Sequence, residues 1–143
     1  MIGESAYTGV YNHSIDPKNR MFLPATMREN IGDEVFVVKG VDKCIAIYPK
    51  DAWDEFTEKL NSLPEIKARR VKRVLMASAI KTKVDSQGRV LITQMHKTYA
   101  ELDKNVCVVG VGSHIEVWDE DKWIAENSME ADEIAETLMA FGL

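Results

Sequence analysis

Two short tracts of the sequence place an aspartate four residues before an arginine: Asp16 precedes Arg20, and Asp85 precedes Arg89. The tracts lie 69 residues apart, and each one separates two apolar runs. An arginine held by a stiff turn can form paired hydrogen bonds with a phosphate or with the edge of a guanine. The alternative is that each arginine only forms a weak, exposed ion pair with its own aspartate.

The residues between each aspartate and its arginine predict a type I turn followed by a bulge. Asn19 and Gly88 stand where such a loop requires a positive φ, which glycine adopts freely and asparagine tolerates. Each aspartate can accept hydrogen bonds from backbone N–H groups of its own turn. We therefore assign a structural role in the turn to Asp16, Asn19, Asp85 and Gly88.

The two tracts differ in charge. The first adds His13 and Lys18 beside Arg20, whereas the second offers the neutral Ser86 and Gln87. The first tract is therefore the better candidate for contact with a nucleic acid. The candidate DNA-binding residues are His13, Lys18, Arg20 and Arg89.

The similarity between the tracts extends along the chain. Residues 40–48 resemble residues 110–118, and Trp53 matches Trp123, all at a spacing of 70. Self-similarity over so many positions predicts two homologous halves related by pseudo-symmetry. We place the first half at 1–63, a linker helix at 64–77, and the second half with an acidic C-terminal helix at 78–143.

Short runs of β-branched and apolar residues position these tracts, because they predict four strands in each half. The predicted strands cover residues 10–15, 20–24, 35–39, 45–48, 79–84, 89–93, 106–109 and 115–118. Within each half the first two strands are expected to pair with each other as a hairpin. Helices are predicted at 25–30, after an N-cap at Asp51, at 65–76 with Ile66, Val71, Val74 and Leu75 on one side, and at 119–141.

The length and composition are those of an ordinary globular domain. The chain has 143 residues, of which 45% are hydrophobic, enough for a core without cross-links. It contains no apolar stretch of roughly 20 residues and no signal-peptide pattern at its start, so we expect a cytoplasmic protein without a membrane. Cys44 and Cys107 lie inside apolar runs, where we expect buried, reduced thiols.

The net charge of −5 conceals an uneven distribution of charge. Residues 116–143 contain nine acidic residues and a single base, Lys122, so the remainder has 17 bases against 14 acids. Residues 66–84 contain seven bases and no acid. Such asymmetry favours a polyanion bound to one face.

The basic part of the linker helix is a candidate second basic surface, formed by Arg69, Arg70, Lys72 and Arg73. It could contact DNA, remain solvated, or pair with the acidic C-terminal helix of a neighbouring subunit. The acidic helix carries large apolar residues, including Trp123, Ile134 and Leu138. These predict packing either on the chain's own β-structure or against a neighbouring subunit.

The sequence gives little support for an enzyme. Asp16 and Asp85 could suggest an aspartic-protease dyad, but Pro17 and Lys18 occupy places where converging carboxylates need small residues. The three histidines have neither metal-ligand spacing nor an adjacent acid or cysteine. We expect no enzyme activity, no metal and no cofactor.

Residues 11–20, 85–92 and 110–118 together resemble the MraZ family of bacterial transcriptional regulators. The resemblance implies an α+β fold of the AbrB-like, SpoVT-related superfamily, in which two swapped-hairpin halves form one β-barrel with flanking helices. It also implies assembly into rings and binding to direct repeats in the promoter of the division and cell-wall gene cluster. Two departures are Asn19 in place of the usual glycine, and Thr93 with Gln94 in place of a proline-initiated turn.

A single hairpin is too small for a specific complex, so affinity requires several copies. A head-to-tail ring would match direct repeats about 10 bp apart, with each ribbon in the major groove. The main alternative is a ring-forming scaffold that sequesters another protein. An antitoxin-like autorepressor is a further alternative, disfavoured because such chains usually carry one half-repeat.

Overall fold

The computed structural model describes residues 7–143, and the start of the chain, on which the signal-peptide prediction rests, lies outside them. This part contains eight strands and six helices. The strands are β1 Val10–Ser14, β2 Arg20–Phe22, β3 Glu34–Lys39, β4 Ile45–Pro49, β5 Ile80–Lys83, β6 Arg89–Leu91, β7 Asn105–Gly110 and β8 Ile115–Asp119. The helices are α1 Ala25–Ile31, α2 Lys50–Asn61, α3 Glu65–Ser78, α4 Gln94–Ala100, α5 Glu120–Glu126 and α6 Ala131–Ala140.

The strands form two antiparallel sheets that interleave the halves of the chain. The larger sheet has the order β1-β7-β8-β4-β3-β5, and the smaller one consists of β2 and β6. Strand β1 pairs with β7 of the second half, with Val10 opposite Val109, and β5 pairs with β3 of the first half, with Glu34 opposite Lys83. If each strand is replaced by its counterpart in the other half, the same strand order results, read from the opposite edge of the sheet. This confirms the pseudo-symmetry.

The expected pairing of the first two strands within each half is wrong. Strand β2 pairs with β6, and the first hairpin itself is held only by its turn and by an isolated bridge between Ile15 and Met21. Alternation of apolar residues determines which face a strand buries, but not which strand lies beside it. Exchange is favoured because an isolated hairpin buries too little surface, whereas interleaved halves share one core. Closure of these strands into a single barrel stays a prediction.

The six-stranded sheet is covered on both faces. One face, which includes Val35 and Val106, packs on the β2–β6 pair through Met21 and Val90, together with residues of α1 and α4. The other face is covered by α2 and α3 in the first half and by α5 in the second. The two layers of helices therefore lie on opposite faces of this sheet.

Aromatic residues hold the outer helices to the sheet. Trp53 of α2 stacks on Phe36 of β3 with ring centres 5.0 Å apart, and Trp123 of α5 packs edge-on against Trp118 of β8 at 5.9 Å. Trp53 and Trp123 are the repeat partners predicted from the sequence. The two cysteines, Cys44 and Cys107, are buried and free, as expected.

Two predictions about helix boundaries are wrong. Helix α2 begins at Lys50 after Pro49, so Asp51 lies in the first turn and is not the N-cap, because the proline that ends β4 already has a φ compatible with the helix start. The predicted C-terminal helix is divided into α5 and α6. The break follows because Asn127 ends α5, and Glu130 starts α6 with a reciprocal capping box to Glu133.

The outer faces of α3 and α6 also differ from expectation. On α3, the predicted apolar side leaves Ile66, Val71 and Val74 exposed, and the helix buries Ala68 and Ser78 instead. Every residue of α6 is exposed, so this helix does not pack on the chain's own β-structure. Only the α5 part of the predicted helix does so, through Trp123.

Candidate nucleic-acid interface

The first hairpin turn is organised by the carboxylate of Asp16. Its Oδ1 accepts hydrogen bonds from the backbone N–H groups of Lys18 and Arg20, both at 2.9 Å, and its Oδ2 accepts one from Arg20 Nε at 2.8 Å. Asn19 adopts a φ of 62°, the left-handed conformation that the bulge requires. The turn thereby holds both the backbone and the guanidinium of Arg20.

The second turn repeats this arrangement atom for atom. Asp85 Oδ1 accepts from the N–H groups of Gln87 and Arg89 at 2.9 and 2.8 Å, and its Oδ2 accepts from Arg89 Nε at 2.8 Å. Gly88 takes the left-handed position with a φ of 83°. The ion pair that the sequence left as an alternative is therefore present in both turns.

These hydrogen bonds keep the two carboxylates ionised. The backbone N–H of Arg20 is the main cause that lowers the pKa of Asp16 below its usual value, and that of Arg89 does the same for Asp85. An ionised aspartate keeps its arginine oriented through Nε, which leaves the two terminal nitrogens of the guanidinium outside this hydrogen bond. Within residues 7–143, neither arginine side chain makes another hydrogen bond. The terminal nitrogens are thus free to meet an external acceptor.

The exchange of strands joins the two turns through one short antiparallel ladder, with one turn at each end. In the β2–β6 ladder Arg20 lies opposite Leu91, and Phe22 lies opposite Arg89. The ladder continues into the turns, because the N–H of Ile92 donates to the carbonyl of Asn19. Since the central pair, Met21 and Val90, points into the core, the outward surface is formed by two arginines and two exposed apolar residues. The outward set is Arg20, Phe22, Arg89 and Leu91.

The two arginines are not equally accessible. The side chain of Arg20 is 34% exposed, whereas that of Arg89 is 19% exposed. Arg89 Cζ lies 5.8 Å from the ring centre of Phe22, within the range of a cation–π contact. The repeat counterpart of Phe22 is Leu91, which offers Arg20 no aromatic ring.

Two further basic residues lie at the turns and were missed by the sequence analysis. Lys97 of α4 donates a hydrogen bond from Nζ to Asn19 Oδ1 at 3.0 Å, so a residue of the second half supports the first turn. Arg28 of α1 lies against Gly88, where an added Cβ would overlap its guanidinium. Arg28 and Lys97 are 69 residues apart, the spacing of the turns themselves, and this signal could have found them.

The other predicted DNA-binding residues occupy different settings. Lys18 is exposed at the tip of the first turn. His13 lies in β1, three residues before the turn, and its burial lowers the pKa of the imidazole below the usual 6.5. A neutral imidazole at pH 7 adds no charge to this surface, so Lys18 and the arginines supply its positive charge.

The candidate second basic surface lies elsewhere. Helix α3 packs through Leu75 and Met76 on the face of the six-stranded sheet opposite the β2–β6 pair. Arg69, Arg70 and Arg73 are exposed there. Lys72 forms an ion pair with Glu65, with Nζ 3.8 Å from Oε2. One bound duplex on the hairpins would therefore not extend along α3 of the same molecule.

The described residues include no group of three His, Cys, Asp or Glu side chains that could hold a metal ion. The buried His96 has a structural role, because Nε2 lies 2.8 Å from the carbonyl oxygen of Ser78 and Nδ1 lies 2.8 Å from Thr93 Oγ1. Thr93 is also the N-cap of α4, and the equivalent position before α1 is occupied by Pro24. No helix in residues 7–143 is long and apolar enough to cross a bilayer.

The fold and the site define a class of protein with two exchanged β-halves, each contributing an Asp–Arg hairpin to one rigid cationic surface. The family described as "MraZ protein, putative antitoxin-like" matches the chain twice, over residues 6–74 and 75–141. The chain belongs to the MraZ family, whose curated members are named transcriptional regulators and not enzymes.

Individual relatives support this assignment over almost the whole chain. The transcriptional regulator MraZ of Heliobacterium modesticaldum is 38% identical over 142 residues, covering 96% of this chain and 99% of its own. The protein of the same name from Lachnoclostridium phytofermentans is 41% identical over 138 residues, covering 96% and 98%. That of Finegoldia magna is 40% identical over 133 residues, covering 90% and 93%.

Proposed function

We propose that this protein is a DNA-binding transcriptional regulator that reads DNA with its paired hairpins. The observation that carries the proposal is the placement of two preorganised arginines on one outward surface, at diagonally opposite corners of the β2–β6 ladder. Three more basic residues, Lys18, Arg28 and Lys97, border the same turns. The membership of the MraZ family and the names of the relatives support regulation of transcription.

The geometry suits a ribbon inserted into the major groove. A two-stranded ribbon is narrow enough for that groove, where an arginine can bind O6 and N7 of guanine with its terminal nitrogens. Arg20 is the better reading residue, because it is the more exposed and has Lys18 beside it. Lys18, Arg28 and Lys97 suit contacts with phosphates, which set position and affinity.

Several copies must act together, since one hairpin pair is smaller than a typical specific interface. A homo-oligomer, which we propose to be a ring, would present its hairpins in one sense and match direct repeats about 10 bp apart. The proposed target is the promoter of the division and cell-wall gene cluster, which follows from the family resemblance. The protein would then act in the cytoplasm, at the nucleoid.

The test is fluorescence anisotropy on a duplex carrying tandem direct repeats from the region upstream of the protein's own gene, measured across a salt series. Wild-type protein is expected to bind with an affinity that falls steeply as salt rises. Arg20→Ala is expected to abolish measurable binding, and Arg89→Ala, which makes the same truncation in the less exposed hairpin, is the matched control with a smaller loss. Unchanged binding by Arg20→Ala would show that the hairpin is not the reading element.

A ring-forming scaffold that binds another protein is the competing function, favoured by one observation: the acidic helix α6 is fully exposed. The same experiment separates the two functions. If wild-type protein binds no DNA even at low salt but associates with a protein in a salt-insensitive manner, the scaffold function replaces the regulator.

A further inference from the structure

Helix α3 presents an apolar groove that nothing in the described chain covers. Val71 and Val74 are 51% and 52% exposed, although valine side chains on a surface helix usually face a core. They form a shallow groove of about 480 Å³ with Leu75, bordered by the aliphatic and charged parts of Lys67 and Arg70. An apolar groove with a basic rim suits an amphipathic helix with acidic edges.

Helix α6 has that composition. Ile134, Leu138 and Phe141 recur at spacings of four and three residues, which places them on one stripe of the helix. All three are exposed, and no residue of α6 is buried. A three-residue stripe of this kind, left in water, has an apolar surface whose burial would be favourable.

Charge complements the apolar match. At 100° per residue, Glu130 and Glu133 lie along one edge of the α6 stripe. On α3, Lys67 and Arg70 lie along one edge of the groove, again three residues apart. Asp132 and Glu136 lie on the back of α6, away from the stripe.

We propose that α6 of one copy of this chain docks in the α3 groove of a second copy, with Ile134 and Leu138 against Val71 and Val74. The acidic edge of α6 then faces the basic edge of α3. The partner is a second copy because the chain itself supplies the complementary helix and leaves it uncovered. The contact joins two different surfaces, so it generates a head-to-tail assembly.

In this arrangement the basic face of α3 serves a protein contact, which competes with contact to DNA. The position of α3 on the sheet face opposite the hairpins favours the protein contact. The proposed function requires several copies, and the present inference names the surfaces that would join them. The test omits DNA, so its failure is distinguishable from failure of the hairpins to bind DNA.

The experiment measures the mass of the full-length protein by light scattering at low and high salt. Wild-type protein is expected to form an assembly larger than a monomer. The double variants Lys67→Glu with Arg70→Glu, and Glu130→Lys with Glu133→Lys, are each expected to lower the mass toward that of the monomer. The matched control is Asp132→Lys with Glu136→Lys, which makes the same charge change on the back of α6 and is expected to keep the wild-type mass.

Mixing the two disrupted variants provides the decisive step. Each reversed surface then meets a complementary one on the other variant, so the assembly is expected to return. Loss of the capping box alone would fray α6 and would not be rescued by mixing. Wild-type mass in both double variants, or a monomeric wild-type protein, would overturn the proposal. If the α3 variant keeps the wild-type mass and then binds the tandem-repeat duplex more weakly in the separate anisotropy experiment, α3 contacts DNA instead of α6.

Discussion

The two hairpins make the same five hydrogen bonds with the same atoms, yet they differ in what surrounds the arginine. Arg20 has a lysine beside it in the turn and a leucine across the ladder. Arg89 has neutral neighbours in the turn and lies against Phe22, which leaves it with about half the exposure. The scaffold that orients the guanidinium is therefore common to both, whereas its access to a ligand differs.

The supporting helices differ in a related way. Helix α1 follows Pro24 and buries Met27, whereas α4 is capped by Thr93 and buries His96 at the equivalent position. The second half thus has a polar network where the first has apolar packing. This contrast places a buried, titratable side chain in α4 at the position where α1 has an apolar one.

The largest difference between the two hairpins is expected when the aspartate that orients each arginine is removed. In Asp16→Asn the amide can place only one oxygen, so Arg20 loses its Nε partner or the backbone loses its acceptor. Binding to the tandem-repeat duplex is expected to fall roughly a hundredfold, because all copies in an oligomer lose the contact together. Anisotropy measures this loss, and a much smaller loss is expected for the matched variant Asp85→Asn. Equal losses would show that both hairpins read DNA.

The turns themselves can be compared through their left-handed residues. Gly88→Ala is expected to lower the free energy of unfolding by about 1–3 kcal/mol, because alanine is strained at positive φ and its Cβ displaces Arg28. Asn19→Gly is expected to change stability little, since glycine relieves the strain of a positive φ and so offsets the lost bond to Lys97. Denaturant unfolding of both variants checks the difference. An unaffected Gly88→Ala would mean that the turn relaxes.

The pH dependence tests the contrast between Met27 and His96. Burial lowers the pKa of His96, so the unfolded chain takes up a proton below the ordinary value of 6.5 while the folded chain does not. Stability is therefore constant above about pH 6.5 and falls below it, by at most about 1.4 kcal/mol per pH unit for this group. His13 and His114 act in the same direction.

Replacing His96 by methionine, the residue at the equivalent position of the first half, isolates the contribution of this histidine to the pH dependence of stability. His96→Met is expected to lower stability at every pH through the lost hydrogen bonds, but to give a shallower decline between pH 7.5 and 5.5 than wild type. Unfolding curves at both pH values measure the slope. A decline equal to that of wild type would mean that His96 stays neutral in both states.

The smallest effect is expected from exchanging the residues at the tips of the two turns, Lys18 and Gln87. Lys18→Gln is expected to reduce the salt dependence of DNA binding by roughly one unit of logarithmic slope per hairpin, the signature of a lost phosphate contact. Gln87→Lys places a lysine at the matching position of the second turn. If the second hairpin also faces the duplex, this variant restores the slope in the Lys18→Gln background. No restoration would confine phosphate contact to the first hairpin.

The strands were predicted closely from the sequence, because alternation of apolar residues reports directly on which positions face a core. Predicted residues 35–39 became β3 Glu34–Lys39, and 106–109 became β7 Asn105–Gly110. Strand partners were not predictable in this way, and neither was the break between α5 and α6. The break depends on a reciprocal cap between two glutamates that resembles an ordinary acidic helix in the sequence.

The repeat and the chemistry of each turn could be inferred from the residues alone. Those features depend on residues within four positions of one another, such as Asp16 accepting from Arg20, and local hydrogen bonds need no distant partner. Three other features emerge only when the chain is folded. Arg20 and Arg89 share one surface, Arg28 and Lys97 cross to the opposite turns, and α6 stays uncovered. These outcomes depend on which arrangement buries the apolar faces of both halves at once, a property of the whole chain that no local pattern contains.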